Sequence, residues 1–222
     1  MNTYLSKYPR TPHLPFSSSK TADDISGEDW SFFSDKLEVI VTEKMDGECT
    51  TFYGNRFHAR SMDSQFHPSR GWVAGLWGGI SWMIPEWRRV VLENVYAEHS
   101  IRYDALETFA FGICVIDLLD ESGSGSLNGV PTVLGWDETV EIFEEYGITP
   151  VPVLHRGLAN LEELRGIYGA LDFNNQEGIV VRTAGRFLEE DFGKNVGKAV
   201  RPGHVQTDEH WMRTWKPNSM RK

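Results

Sequence analysis

Two cysteines, Cys49 and Cys114, are all that 222 residues contain, and neither stands in a CxxC pair or a disulfide-dense frame. That excludes a disulfide scaffold and a thiolate zinc site, and it fits a reducing setting, so the chain is expected in the cytoplasm. Long apolar runs are missing as well: none approaches the roughly 20 residues that span a bilayer. The opening "MNTYLSKYPRTPHLPF" has no uninterrupted apolar stretch of the signal-peptide kind. No internal repeat is present. The Gly-Ser stretch at 122–126 lacks a following Lys-Ser/Thr, which excludes a phosphate-cradling loop of the P-loop type. Positive charge is also short, with a net of −10. It is unevenly spread, however. Residues 194–222 hold seven Lys and Arg against Asp208 and Glu209, a local net of +5, leaving −15 on the preceding 193 residues. A basic patch on an acidic body can still meet phosphates, because potential is set locally within about 8 Å at physiological salt.

What is present suffices for one large domain or two small ones: 40% apolar residues and 12% aromatics. Residues 1–35, rich in Pro, Ser and Asp, read as an irregular N-terminal arm. "LEVIVTE" (37–43) alternates as a strand with one strongly apolar face. "ECTTFY", "GN" and "RFHARS" read as a hairpin in which Gly54-Asn55 supplies positive φ. The charge-free "GWVAGLWGGISWM", with Trp72, Trp77 and Trp82, leads to an expected helix at about 85–96, where Pro85 suits a first turn. "LETFAFGICVIDLLD" is a long strand. "WDETVEIFEEYG" is an amphipathic helix closed by Gly147. "GITPVPVL" is a strand, and "NLEELRGIYGAL" opens with a capping box from Asn160 to Glu163. "EGIVVRT" and "GKAVR" are further strands. The pattern is α+β and dominated by antiparallel strands.

The chemistry centres on "VTEKMDGEC" (41–49), where Glu43, Lys44, Asp46 and Glu48 crowd opposite charges into six positions. An amine attacks phosphorus only when neutral, so a nucleophilic lysine needs a pKa below its ordinary value of about 10.4. Neighbouring carboxylates push the other way, and they suit a nucleophile only if a divalent metal sits among them or if they hold ligand hydroxyls. Gly47 would let backbone approach a ligand closely. Taken alone, Lys-x-Asp-Gly is equally a turn with a surface ion pair.

Further segments follow it in a set order. "EKMDGE" (43–48) resembles motif I of the covalent nucleotidyltransferases, the ATP-dependent polynucleotide ligases and mRNA capping enzymes. "HARS" (58–61), "VYAEHSIRY" (95–103), "TFAFGICVID" (108–117), "EGIVVR" (177–182) and "GKAVR" (197–201) are placed like that superfamily's next five motifs. "KYPRTPHLPFS" near the start and "HVQTDEHWM" near the end look like small phage and bacterial RNA ligases. The resemblance covers nearly the whole chain. It implies a nucleotidyltransferase (ATP-grasp-like) domain over residues 36–205, with antiparallel sheets flanked by helices around an ATP cleft. A basic, aromatic tail at 206–222 would follow, without a separate C-terminal domain.

The same resemblance implies a chemistry: Lys44 attacks the α-phosphorus of ATP, AMP passes to a 5′-phosphate, and a 3′-hydroxyl then expels AMP. Asp46 and Glu177 would lie near Mg²⁺ (or Mn²⁺), directly or through water. Glu98 would contact the ribose. Glu43 and Gly47 would line the nucleotide, and Phe109 or Phe111, on one strand face, would stack on adenine, with Phe109 preferred by motif position. Arg60, Lys198 and Arg201 would hold phosphates. Many relatives place two lysines one residue apart in the last motif, where this chain has Lys198 and Arg201. RNA is the implied partner, with the +5 tail and its Trp211 and Trp215 as a surface for phosphates and bases; no membrane partner is implied. Self-association or a partner protein would replace a missing C-terminal domain. A DNA nick ligase, or a degenerate nucleotide- or RNA-binding module, is the competing expectation.

Other clusters read more plainly. His204, Asp208, Glu209 and His210 match no strong zinc template, and His99 reads as a supporting or surface histidine. The tryptophans at 72, 77 and 82 read as core or edge packing, and both cysteines as small apolar strand residues.

Overall fold

A computed structural model describes residues 5–18, 30, 33, 37–203 and 215–221. Among these, no helix is long and apolar enough to cross a membrane. His204, Asp208, Glu209, His210, Trp211 and Arg213 lie outside the described residues.

In chain order the elements are strands β1 (Glu38–Glu43), β2 (Glu48–Phe52) and β3 (Phe57–His58), helix α1 (Gly71–Ile80), then strands β4 (Arg88–Asn94), β5 (Ala110–Leu119) and β6 (Val130–Val133). Helix α2 (Trp136–Glu145), strands β7 (Thr149–Pro150) and β8 (Val153–Leu158), helix α3 (Leu161–Gly169), strands β9 (Gly178–Thr183) and β10 (Phe187–Leu188), helix α4 (Phe192–Asn195) and strand β11 (Val196–Val200) complete the order. They form two sheets. One runs β11-β9-β1-β8, the other β10-β6-β5-β4-β2-β3, with β7 added in parallel beside β5.

Strand alternation sorts the side chains into layers. Val39, Val41, Ile179 and Val181 point outward from the first sheet onto Leu164 and Tyr168 of α3 and Leu14 of the arm. Ile40 points inward and meets Met45, Val95, Tyr103, Phe111, Trp136 and Val151. At the other end of this interior layer Val91, Cys114, Ile116, Val133, Phe187, Phe192 and Val196 pack together. Phe52, Val90, Leu92 and Val115 cover the far side of the second sheet, against Val73 and Ile80 of α1 and Phe143 of α2. A Cβ on Gly112 would overlap the Phe143 ring, so the α2 contact requires glycine there. This is the expected arrangement of antiparallel sheets with helices on their outer faces.

Local expectations hold at several points. Asn160 accepts from Glu162 and Glu163 N–H while Glu163 accepts from Asn160 N–H, a complete capping box on α3. Gly147 takes φ +64° just past α2. Both cysteines lie on strands, and burial pushes the Cys114 thiol up to about 12 and the Cys49 thiol well above its ordinary value.

Four expectations are corrected. Residues 85–96 are not helical: β4 occupies 88–94 and pairs with both β2 and β5, so it is buried on both faces and loses the alternation that marks a strand. The helix is instead the tryptophan segment, α1. Gly54 does not supply positive φ; it is glycine because a Cβ would overlap the Ile84 carbonyl. The arm is not wholly irregular, since residues 12–14 pair alongside β11 through Lys198 N–H to Pro12 O (2.9 Å) and Leu14 N–H to Lys198 O (2.8 Å). Of the three tryptophans, Trp72 packs on Phe109 and Trp77 donates to Tyr53 O, but Trp82 is 81% exposed.

Candidate active site

Lys44 follows β1 directly, and its N–H still donates to Gly178 O (2.9 Å), so the lysine leaves the sheet in register with the start of β9. Its ammonium donates to Glu177 Oε2 at 2.6 Å. Glu177 is 1% exposed, and Lys44 retains 24% side-chain exposure, which leaves a route to the amine. A Cβ on Gly178 would overlap the Ala199 carbonyl of β11. Glycine after Glu177 is therefore what lets three strands converge here.

Asp46 is buried beside this pair. Its Oδ2 accepts from Ser100 N–H (2.7 Å), Ser100 Oγ–H (2.8 Å) and Ile101 N–H (2.7 Å), and its own N–H donates to the Tyr103 hydroxyl (2.8 Å). Three donors on one oxygen fix the carboxylate to the loop at 98–101. Gly47 N–H donates to Glu93 Oε1 (3.1 Å), and a Cβ on Gly47 would overlap the Asn94 carbonyl. The close approach that Gly47 permits is thus to the end of β4 in the protein itself.

Glu93 is the residue the motif order missed. It lies on β4 with its side chain toward the interior, and the sequence contains two glutamates five residues apart near this strand end. The structure brings Glu93 to the Lys44 turn. Glu98 donates its backbone N–H to Lys216 O (2.7 Å). The available signal was the strand "RRVVLEN", whose single acidic residue is Glu93.

Three carboxylates now face one ammonium. Burial pulls the Lys44 pKa down, but the charge of Glu177, that of Glu93, the Glu177 hydrogen bond and Asp46 together hold it above its ordinary value. Burial pushes the Glu93 carboxyl up to about 8, with Lys44 opposing, and Glu177 and Asp46 adding to the rise. Burial likewise raises Glu43, opposed by the hydrogen bond from Gln176 Nε2 (2.9 Å). Nearby, burial lowers the His99 pKa against the pull of Asp46, Glu48 and Glu177. Among the described residues no three His, Cys, Asp or Glu side chains are arranged to hold a metal on their own. The surplus negative charge still fits a divalent ion that arrives with phosphate oxygens, the usual way Mg²⁺ is held.

The cations are placed unevenly. Lys198 pairs with Val180, which pairs with Thr42, so Lys198 shares the inward face of its sheet with Thr42 and Lys44. Arg60 is exposed and donates to Tyr8 O (2.8 Å) on the arm. Arg201 Nη1 donates to Phe173 O (2.7 Å) and Nη2 to Ser100 O (3.1 Å). Arg201 thereby braces the loop that holds Asp46. Phe111 is packed beside Met45 in the interior layer. Phe109, ahead of β5, meets Tyr96 edge-on at 4.9 Å and Trp72 at 5.7 Å. Tyr96 in turn packs on Trp215 (5.6 Å).

The sequence profile of the RNA ligase family matches residues 37–200, most of the chain. The chain belongs to this family. No curated protein matches the sequence. Among solved structures, an archaeal ATP-dependent RNA ligase superposes with a TM-score of 0.55 at 13% identity, over 88% of this chain and 48% of that one. A Naegleria gruberi RNA ligase mutant bound to ATP and Mn gives 0.54 at 14% identity, over 95% and 62%. A protein assigned as an ATP-dependent DNA ligase in Aquifex aeolicus gives 0.50 at 15% identity, over 88% and 50%. At such identities the likeness concerns the fold, and the chain spans about half to three-fifths of these solved relatives.

Proposed function

We propose that this RNA ligase family member joins RNA 5′-phosphate and 3′-hydroxyl ends with ATP, through an AMP carried on Lys44. The observation that supports it most directly is the Lys44–Glu177 contact at 2.6 Å, with Glu93 and Asp46 among the groups acting on the same amine. Lys44 Nζ forms a bond to the α-phosphorus, the bond to the pyrophosphate oxygen breaks, and the amine loses its proton. The RNA 5′-phosphate next displaces Lys44, giving an RNA 5′-adenylate. The 3′-hydroxyl then attacks and releases AMP. Two moderate barriers replace one high one, the usual gain of covalent catalysis.

In the resting protein Lys44 is held as an ammonium and cannot attack. A divalent metal, Mg²⁺ or Mn²⁺, would supply positive charge that competes for Glu177 and Asp46, so that the lysine pKa falls when ATP is in place. Glu177 aims the amine, Asp46 fixes the turn that carries it, and Lys198 offers a charge to phosphate from the same sheet face. Glu93 takes the nucleotide-facing role that motif order gave to Glu98, because it is Glu93 that reaches the Lys44 turn. Phe109 is the preferred adenine platform.

The test is incubation with α-labelled ATP and Mg²⁺ or Mn²⁺, followed by denaturation. The native chain should keep covalent label, and Lys44→Ala should keep none; label on Lys44→Ala would overturn the choice of nucleophile. The absence of any label on the native chain would favour a nucleotide- or RNA-binding module. Joining of 5′-phosphorylated RNA is expected over nicked DNA, and the reverse preference would move the chain to the DNA-ligase side.

A further inference from the structure

Residues 215–221 do not trail into solvent; they run back along residues 95–106. Ala97 bridges Pro217 and Leu106 bridges Met220. Backbone bonds join Glu98 N–H to Lys216 O (2.7 Å), Asn218 N–H to Tyr96 O (2.8 Å) and Leu106 N–H to Ser219 O (3.0 Å). At the centre of this contact the Asn218 side chain is 5% exposed. Its Nδ2 donates to Val95 O (2.8 Å) and Ala97 O (3.3 Å), and its Oδ1 accepts from Tyr103 N–H (2.8 Å). One amide thus ties both arms of the loop together through three backbone groups.

The far side of the same loop grips Asp46. The Tyr103 hydroxyl takes the Asp46 N–H, and Ser100 and Ile101 supply the three donors on its carboxylate. Residues 95–109 form no helix or named strand, so side-chain ties decide the shape of the loop. Asp46 stands two positions from Lys44. We propose that Asn218 is a positioning residue for the nucleophile, acting through Tyr103 and the 98–101 loop on the Lys44–Asp46 turn; this rests on the ligase reading above. The segment at 215–221 is then part of the active-site scaffold.

Two measurements on the full chain test this. The first is amide hydrogen exchange in Asn218→Ala: exchange at Asp46, Ser100 and Ile101 should speed at least tenfold, while amides in β9 stay as in the native chain. The second is single-turnover labelling with saturating ATP and divalent metal. In Asn218→Ala the rate constant should fall at least tenfold while the fraction of chains finally labelled is kept. The double variant with Tyr103→Phe should be no slower than the slower single one. Unchanged exchange at the three amides would overturn the proposal. So would a reduced labelled fraction at a native rate constant, which marks a purely structural role, or losses that multiply in the double variant. If the native chain takes no label, the ligase reading fails by itself, and the exchange result still decides what Asn218 does.

Discussion

Glu93 shows how far a single side chain departs from its ordinary chemistry in this pocket. Its carboxyl holds a proton up to about pH 8, against an ordinary value near 4.5. Below about 4.5 both the folded and the unfolded chain carry that proton. Between 4.5 and 8 the unfolded chain gives it up and the folded chain does not, so stability falls as pH rises through that window and levels off above it. At about 1.4 kcal/mol per pKa unit the total is on the order of a few kcal/mol. Glu93→Gln should remove this slope, as read from urea unfolding at pH 5, 6.5 and 8, and should cost tenfold or more in Lys44 labelling. Glu98→Gln should leave both within about twofold. A slope that survives Glu93→Gln would place the proton elsewhere. At this scale part of the arrangement was legible: Lys44, Asp46 and Glu177 lie close together, with Lys198 on the same sheet face. Glu93 was not, because its place beside the Lys44 turn follows from pairing with β2 and β5 rather than from local sequence.

Elements with a one-sided pattern were read correctly for the same reason in each case: alternation or helical periodicity records which face is buried. β1 and α2 carry such a record, and α3 adds its capping box, whereas β5 and β9 are buried on both faces and were read from their apolar, β-type runs. α1 and β4 carry no such record. The α1 sequence has no charge and four glycines, each costing about 1 kcal/mol against alanine in a helix, so its helicity comes from packing Val73 and Ile80 on the second sheet. β4 lies between two strands and is apolar on both faces, which removes the period of two. The α3 cap is a feature sequence did reveal, and it can be measured. Asn160→Ala removes the acceptor for two N–H groups and should cost about 1 kcal/mol, lowering Tm by roughly 2–4 °C for a chain of this size. Calorimetry of the variant should show that shift with labelling by ATP retained; an unchanged Tm would mean that the cap contributes nothing.

For the whole molecule, the net charge of −10 and the phosphate-rich chemistry are reconciled by location. The acidic groups at the centre face the Lys44 ammonium, while Lys198 and the arm-tethered Arg60 add positive charge along the arm. Both cations depend on the arm: Lys198 is bonded on either side by residues 12 and 14, and Arg60 by the Tyr8 carbonyl. The pocket is therefore stitched together from the two ends of the described chain. The Tyr103–Asn218 bond alone closes a sequence separation of 115 residues, and closures of that span are slow steps because their entropy is lost before their contacts form. During refolding, competence to accept AMP should accordingly appear after the bulk of the sheet signal: quenching aliquots with labelled ATP should lag far-UV circular dichroism. The sheets and helices would then be a scaffold already standing when the reactive amine is set, and the last bonds to close would be the ones that switch the chain from folded to functional.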